Sequence, residues 1–322
     1  MNKKAISLVI SGLIVLSNVH SIENVYANEK NANYSEISTT DGNTIIKIPN
    51  ADLKDAICKE LNLSNDTDIT VSQLEKLTKL EINGENTSNL QGIEYCKNLK
   101  TLSMINCNVK DIRLLSSLTN LETLNLDRNN IKYIYSLSNL KNLKNLTLSS
   151  NYINDISPLS NLTNLEKLNL SDNCILDLRP LANIKNKLDK NLEYEYQTIE
   201  LEPVKMPYDK KVIMEIPKIY DIDGTLIKEP SIFSDAGEHK IVGNTVVWTN
   251  VVEGGTLEIV FENKDKTFDV SICQDVIKQN ENISLTDIKG HWAYESISNF
   301  INKGYISLSF FRDPPSLTNT FN

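Results

Sequence analysis

Histidine is scarce. His20, His239 and His291 are the only three in 322 residues, and they fall in three separate stretches of the chain. A Ser/His/Asp arrangement or a histidine-rich metal site needs such residues to converge, so catalysis of that kind is not expected, nor is any cofactor or bound metal. The 11 glycines nowhere form a phosphate-cradling loop. Five cysteines, Cys58, Cys96, Cys107, Cys174 and Cys273, are an odd number without a CxxC pair. Neither a disulfide framework nor a zinc site follows, and they read as small buried hydrophobes. Basic residues are outnumbered 33 to 42, for a net charge of -9, which argues against a nucleic-acid partner. No segment approaches the ~20 apolar residues that a membrane span needs.

Repetition, by contrast, is abundant. One pattern begins at Leu77, Leu99, Leu121, Leu143 and Leu165, each start 22 residues after the last. LETLNLDRNNI, LKNLTLSSNYI and LEKLNLSDNCI all fit LxxLxLxxNxI, the leucine-rich-repeat signature. In the copy from Leu99, Met104 replaces a leucine and Cys107 the asparagine, and the copy from Leu77 is degenerate. Strand alternation sends Leu124 and Leu126 inward and Asn125 and Asp127 outward. Cys107, Asn129, Asn151 and Asn173 then form a structural ladder whose buried amides satisfy the backbone of the turn leaving each strand. The second half of each repeat spaces apolar residues by three (Ile131, Ile134, Leu137, Leu140), which fits 3₁₀ turns. The predicted core is an α/β-type leucine-rich-repeat solenoid over residues 77–190, with a parallel concave sheet and 3₁₀ turns on the convex side.

Around it, residues 1–27 carry Lys3 and Lys4, an apolar run from Ala5 to Leu16 and a Val25-Tyr26-Ala27 cleavage site. These are the marks of a secretory signal peptide cut after Ala27. Its removal leaves 31 basic against 41 acidic residues. Residues 28–43 are polar and read as disordered. Residues 44–76 predict two helices, with Asn50 as an N-cap and Thr70 and Gln73 as a capping box, forming a helical cap over the first repeat. From Gln197 to Cys273, alternating segments such as TVVWTNV and TLEIVFE between turn signals suggest a small β-sandwich within residues 191–275.

The runs IPNADLKDAICKEL, ITVSQLEKLTKLEI and INDISPLSNLTNLEKLNLSDN resemble the cap and repeats of the internalin family of Gram-positive bacteria. YDIDGTLIKEPSIFSDAGEH with TVVWTNV resembles the immunoglobulin-like module that follows the repeats in that family and shields the last one, here near Leu178 and Leu181. LTDIKGHWAYESISNFINKGYIS, within residues 276–322, resembles the first half of an S-layer homology module. Asp287, His291 and Trp292 match its opening and imply a remnant that binds cell-wall polysaccharide. Past Ser307 the likeness ends, and Asn319 stands where the closing motif has arginine; the tail is either shortened or diverged.

His239 is expected in a turn of the sandwich, and Asp221 with Asp223 in a solvated turn rather than a calcium loop. The concave face is left as the candidate surface: Thr101, Ser103, Ile105, Thr123, Asn125, Asp127, Arg128, Asn145, Thr147, Ser149, Tyr152, Lys167, Asn169 and Ser171, with Tyr133 and Tyr135 on its flank. The expectation is a non-enzymatic binding protein, secreted or wall-associated, whose partner is a protein or a glycan on a cell surface. The alternative is a structural spacer of the cell wall without its own ligand.

Overall fold

The computed structural model describes residues 41–84, 87–188, 191–207, 210–228, 230–234 and 237–277. The predicted signal peptide, nearly all of the polar segment after it, and the S-layer-like stretch with Asp287, His291 and Trp292 lie outside the described residues.

The first helix, α1 (Ala51–Glu60), starts where predicted: Asn50 Oδ1 accepts the Leu53 N–H at 2.9 Å. Leu53, Ile57 and Cys58 are its buried face, and it packs against the first strand, β1 (Lys79–Asn83). The one-turn α2 (Val71–Leu74) opens on the Thr70–Gln73 box, in which the Thr70 N–H donates to Gln73 Oε1 at 2.8 Å.

From β1 the chain builds a six-stranded parallel sheet with β2 (Thr101–Ile105), β3 (Thr123–Asn125), β4 (Asn145–Thr147), β5 (Lys167–Asn169) and β6 (Leu192–Glu193), in sequence order. The register pairs Thr101 with Thr123, Thr123 with Asn145 and Asn145 with Lys167, so residues one repeat apart lie side by side. Leu102, Leu124, Leu146 and Leu168 are fully buried in one column. Removing a leucine from water contributes ~1.5–3 kcal/mol, and every repeat supplies several. Five 3₁₀ turns return the chain between strands: Ile93–Tyr95, Arg113–Ser117, Tyr135–Asn139, Ser157–Asn161 and Arg179–Leu181. The period of three puts one buried residue at the centre of each turn, as with Leu115, Leu137 and Leu159.

A ladder of side chains runs along the turns that leave the strands. Asn151 Nδ2 donates to the carbonyls of Leu126, Leu148 and Ser149 at 3.0–3.1 Å, and its Oδ1 accepts from Ile131 N at 3.0 Å. Asn129 and Asn173 repeat this set. Cys107 occupies the same place but has only a thiol to offer, 3.4 Å from the carbonyls of Ile82 and Ile105. At the far end Gln197 takes over: its Nε2 reaches Leu170 O, Tyr194 O and Glu195 O, and its Oε1 accepts from Ile175 N. A count of five repeats does not anticipate this sixth rung. LEYEYQTI carries it in the sequence, with glutamine for asparagine and a two-residue longer spacing. The residue before each ladder position is left-handed: Asn106, Arg128, Ser150, Asp172 and Tyr196 have φ of 54–61°.

Gln197 also begins β7 (Gln197–Lys205), which lies at the edge of a second sheet of order β11-β14-β15-β7. Its other members are β11 (Ser231–Ser234), β14 (Thr256–Glu262) and β15 (Asp269–Ile277). A three-stranded sheet joins β12 (Glu238–Val242), β13 (Thr245–Thr249) and β8 (Val212–Glu215), and β9 (Ile219–Tyr220) pairs with β10 (Leu226–Ile227). The two parts share one core running from Ile48 to Val276. Leu178 N donates to Tyr220 O at 3.0 Å and Tyr220 N to Leu176 O at 2.9 Å. Arg179, bound to Asp177 through Nε at 2.8 Å, lies 3.8 Å over the Tyr220 ring.

Two expectations are corrected. His239 is in strand β12, cross-strand from the buried Trp248 and edge-on to its ring, not in a turn; the turn follows at Gly243. Cys58, Cys96 and Cys107 are buried as expected, but Cys174 and Cys273 are only half-buried, because each falls on the outward side of the alternation, Cys174 between buried Asn173 and Ile175 and Cys273 after buried Ile272.

Replacing Asn151 with alanine strands several buried backbone groups at once. It should cost roughly 3 kcal/mol in urea unfolding followed by circular dichroism. A loss below ~1 kcal/mol would show that the ladder is dispensable.

Candidate functional site

The outward strand residues form rows across the sheet, and the rows are knit together. Asp127 N donates to Asn125 Oδ1 at 3.0 Å, and Ser171 N donates to Asn169 Oδ1 at 2.9 Å. Ser149 donates to Asp127 Oδ1 from both its N–H (2.9 Å) and its hydroxyl (3.1 Å). Asn145 Nδ2 reaches Thr123 Oγ1 at 3.3 Å. At the margin Glu122 bridges Lys100 (3.4 Å) and Lys144 (2.7 Å). Those contacts fix side chains before any partner arrives and leave the face polar, shallow and short of aromatic rings.

Of the sequence-predicted surface, Thr101, Ser103, Ile105, Thr123, Asn125, Asn145, Thr147, Lys167 and Asn169 lie on β2–β5, and Asp127, Ser149 and Ser171 follow in the same rows. Arg128 is exposed and sits in the left-handed row, whose backbone costs about 1 kcal/mol for a residue with a Cβ. Tyr152, 58% exposed, is placed one residue past the ladder, in the row of Asn130 and Cys174, and so lies beside the strand rows and not in them.

Burial pushes the Asp127 carboxyl above its ordinary range, against the lowering pull of the Ser149 bonds and Arg128, with Glu193 adding to the rise. Burial raises the Cys96 thiol to about 12 and raises the other four thiols, so none is activated. Asp221 and Asp223 spend oxygens on the Ile222 and Thr225 N–H groups of their turn, and Asp221 also on Asn263 Nδ2. Among the described residues, no group of three His, Cys, Asp or Glu side chains stands where it could hold a metal ion. No described helix is long and apolar enough to cross a membrane.

One concavity lies off the sheet. A groove of about 770 Å³ runs between the Arg113–Ser117 and Tyr135–Asn139 turns and includes Tyr133, Tyr135, Lys110 and Lys132 in its lining. The sequence marks Tyr133 and Tyr135 as flanking anchors but gives no sign that they share a groove with the lysines of two successive repeats.

Because the native fold disfavours the charged Asp127, its folded-state pKa lies above the unfolded one, and stability falls as pH rises through that interval. Asp127→Asn keeps an acceptor for Ser149, so it should raise Tm at pH 7 by about 1–3 °C, a gain that disappears near pH 3 where both states are protonated. Thermal melts at the two pH values decide it; an unchanged or lower Tm at pH 7 means that the charge supports the fold.

A family profile described as "Leucine Rich repeats (2 copies)" matches residues 97–140 and 141–183. No curated protein matches the chain. Among solved structures, an internalin (inlF) of Listeria monocytogenes is 33% identical, covering 54% of this chain and 52% of its own, with a TM-score of 0.42. The functional domain of InlJ from the same organism is 21% identical over 65% of this chain and 46% of its own, with a TM-score of 0.53. A secreted internalin-like protein of that organism, Lmo2445, is 14% identical over 72% of this chain and 100% of its own, at a TM-score of 0.45. The chain spans about half the length of the first two. Six parallel strands, 3₁₀ returns and the matching profile make the repeated part of this chain a leucine-rich-repeat solenoid.

Proposed function

We propose that the chain is an exported, non-enzymatic binding protein of the internalin type, which presents its concave sheet to a protein or glycan on a cell surface. The observation that carries this reading is the hydrogen-bonded fixing of outward side chains on adjacent repeats, above all Ser149 on Asp127. A surface held in place beforehand loses little conformational entropy when a partner docks. In the same reading, residues 1–27 direct export, and α1 and α2 act as the helical cap. The β7–β15 sheets form an immunoglobulin-like module over the last rung. Asp287, His291 and Trp292 belong to a partial S-layer homology segment that holds wall polysaccharide.

A second reading, a wall-associated spacer with no ligand of its own, draws on the same face. Hot spots favour Trp, Tyr and Arg, and the strand rows here are mostly small and polar.

The test uses labelled protein spanning residues 28–322 on intact epithelial cells and on purified Gram-positive cell walls. A triple variant, Asp127→Ala, Arg128→Asn and Tyr152→Ala, is compared with it; asparagine tolerates the left-handed turn at position 128. At least tenfold weaker binding by the variant, with an unchanged melting curve, supports the concave site. Equal binding by both proteins removes it. A chain ending at Ile277 separates the wall contribution: if it pellets with cell walls as well as the longer one does, the C-terminal segment is not the anchor.

A further inference from the structure

The repeats make it possible to see where one of them departs from the rest. In four of them a residue two places before the 3₁₀ turn's first free N–H caps it: Asn89 accepts from Gln91 N (3.0 Å), Asp111 from Arg113 N (3.0 Å), Asp155 from Ser157 N (2.8 Å) and Asp177 from Arg179 N (3.0 Å). In the remaining repeat that capping position is Tyr133. Two residues on, the residue in line with Arg113, Ser157 and Arg179 is Tyr135, 40% exposed. Next to it, where the first repeat has Gly92 and the other three the bulkier Leu114, Pro158 and Pro180, stands Ser136, whose Oγ is buried without a hydrogen-bond partner. All three departures line the groove between this turn and the one before it.

Two of the departures weaken the solenoid locally: Tyr133 takes the place of a capping acceptor, and Ser136 both removes apolar bulk and leaves a buried hydroxyl unpaired. All three border a cleft of about 770 Å³, inside the ~300–1,000 Å³ range of ligand-holding clefts. Its charge also runs against that of the chain. Lys110, Arg113 and Lys132 face it with one carboxylate, Asp111, which is already bound to Arg113 at 2.6 Å. Lys132 Nζ stands 5.6 Å from the Tyr133 ring centroid, placing a cation beside an aromatic face.

We propose that this convex groove is a saccharide subsite for an acidic glycan, separate from the concave face. Tyrosine faces pack against the C–H faces of a sugar ring. Lining serines such as Ser116 and Ser138 exchange hydrogen bonds with its hydroxyls, and the two lysines attract its carboxylate. Because the groove crosses two repeats, it accepts an extended oligosaccharide better than a single sugar.

The test is calorimetric titration of the full chain with tetragalacturonate and a hyaluronan tetrasaccharide as acidic probes, and with chitotetraose as the neutral one. Binding of an acidic probe at least tenfold tighter than chitotetraose, weakened by raising NaCl from 20 to 500 mM, is expected. Ser136→Leu restores the residue found at Leu114, fills the cleft, and should abolish binding without lowering Tm. Tyr133→Asp restores the missing cap and should raise Tm while weakening binding at least fivefold. Asp127→Ala with Arg128→Asn should leave binding unchanged, which keeps this result apart from that of the concave face. No binding of either acidic probe, equal binding of the neutral one, or full binding by Ser136→Leu would overturn the proposal.

Discussion

Everything in this solenoid depends on one repeated bond set: a carboxamide buried at the turn that follows each of β3, β4, β5 and β6, donating to three carbonyls and accepting from the rung before it. A parallel sheet whose strands are only three residues long, as β3, β4 and β5 are, has few ladder bonds of its own. The amides supply the rest. They tie turn to turn in the direction in which the leucine columns stack, so the apolar and polar contributions reinforce the same spacing. An unpaired backbone group costs more when buried than a pair gains, and the position is filled by Asn, Gln or, at Cys107, a thiol that still reaches two carbonyls.

The same bond set explains why the solenoid and the C-terminal sheets share one core. Gln197 closes the ladder and at once begins β7, which pairs with β15. A side chain buried in one unit thereby fixes the first residue of the other. The backbone bonds between Tyr220 and Leu176 and Leu178 tie the same end again. Tilting the sheets away from the repeats would break buried hydrogen bonds at two places.

The sequence announced the repeats because leucine periodicity is redundant: five copies at one spacing leave little room for another reading. It announced the helix starts at Asn50 and Thr70 for a similar reason, since a cap is a local signal read from residues three apart. What it concealed has a common cause. The sixth rung uses Gln197 for Asn and shifts the spacing by two residues, and a pattern search rewards identity, not hydrogen-bonding capacity. His239 stands between Gly237 and Gly243, both turn-favouring residues, yet the five residues between them pair with β13. The left-handed row was hidden because φ is set by the turn, and Arg128 and Tyr196 accept it against their own preference.

A regular solenoid also sharpens what counts as a functional signal. In most folds an exposed tyrosine or an uncapped turn has no internal standard against which to be judged. Here the neighbouring repeats provide one, since they solve the same geometric problem with Asp, Arg or Ser, and Leu or Pro. Selection for stability alone would drive the third 3₁₀ return toward the solution already used on both sides of it. Tyr133, Tyr135 and Ser136 depart from it together and line one cleft. On the concave face the reverse holds: the rows continue from rung to rung with small polar residues, so the fold's own requirements account for much of what is seen there. The physical contrast between the two faces, one explained by repetition and one that breaks it, directs the search for a ligand to the convex side as well as to the sheet.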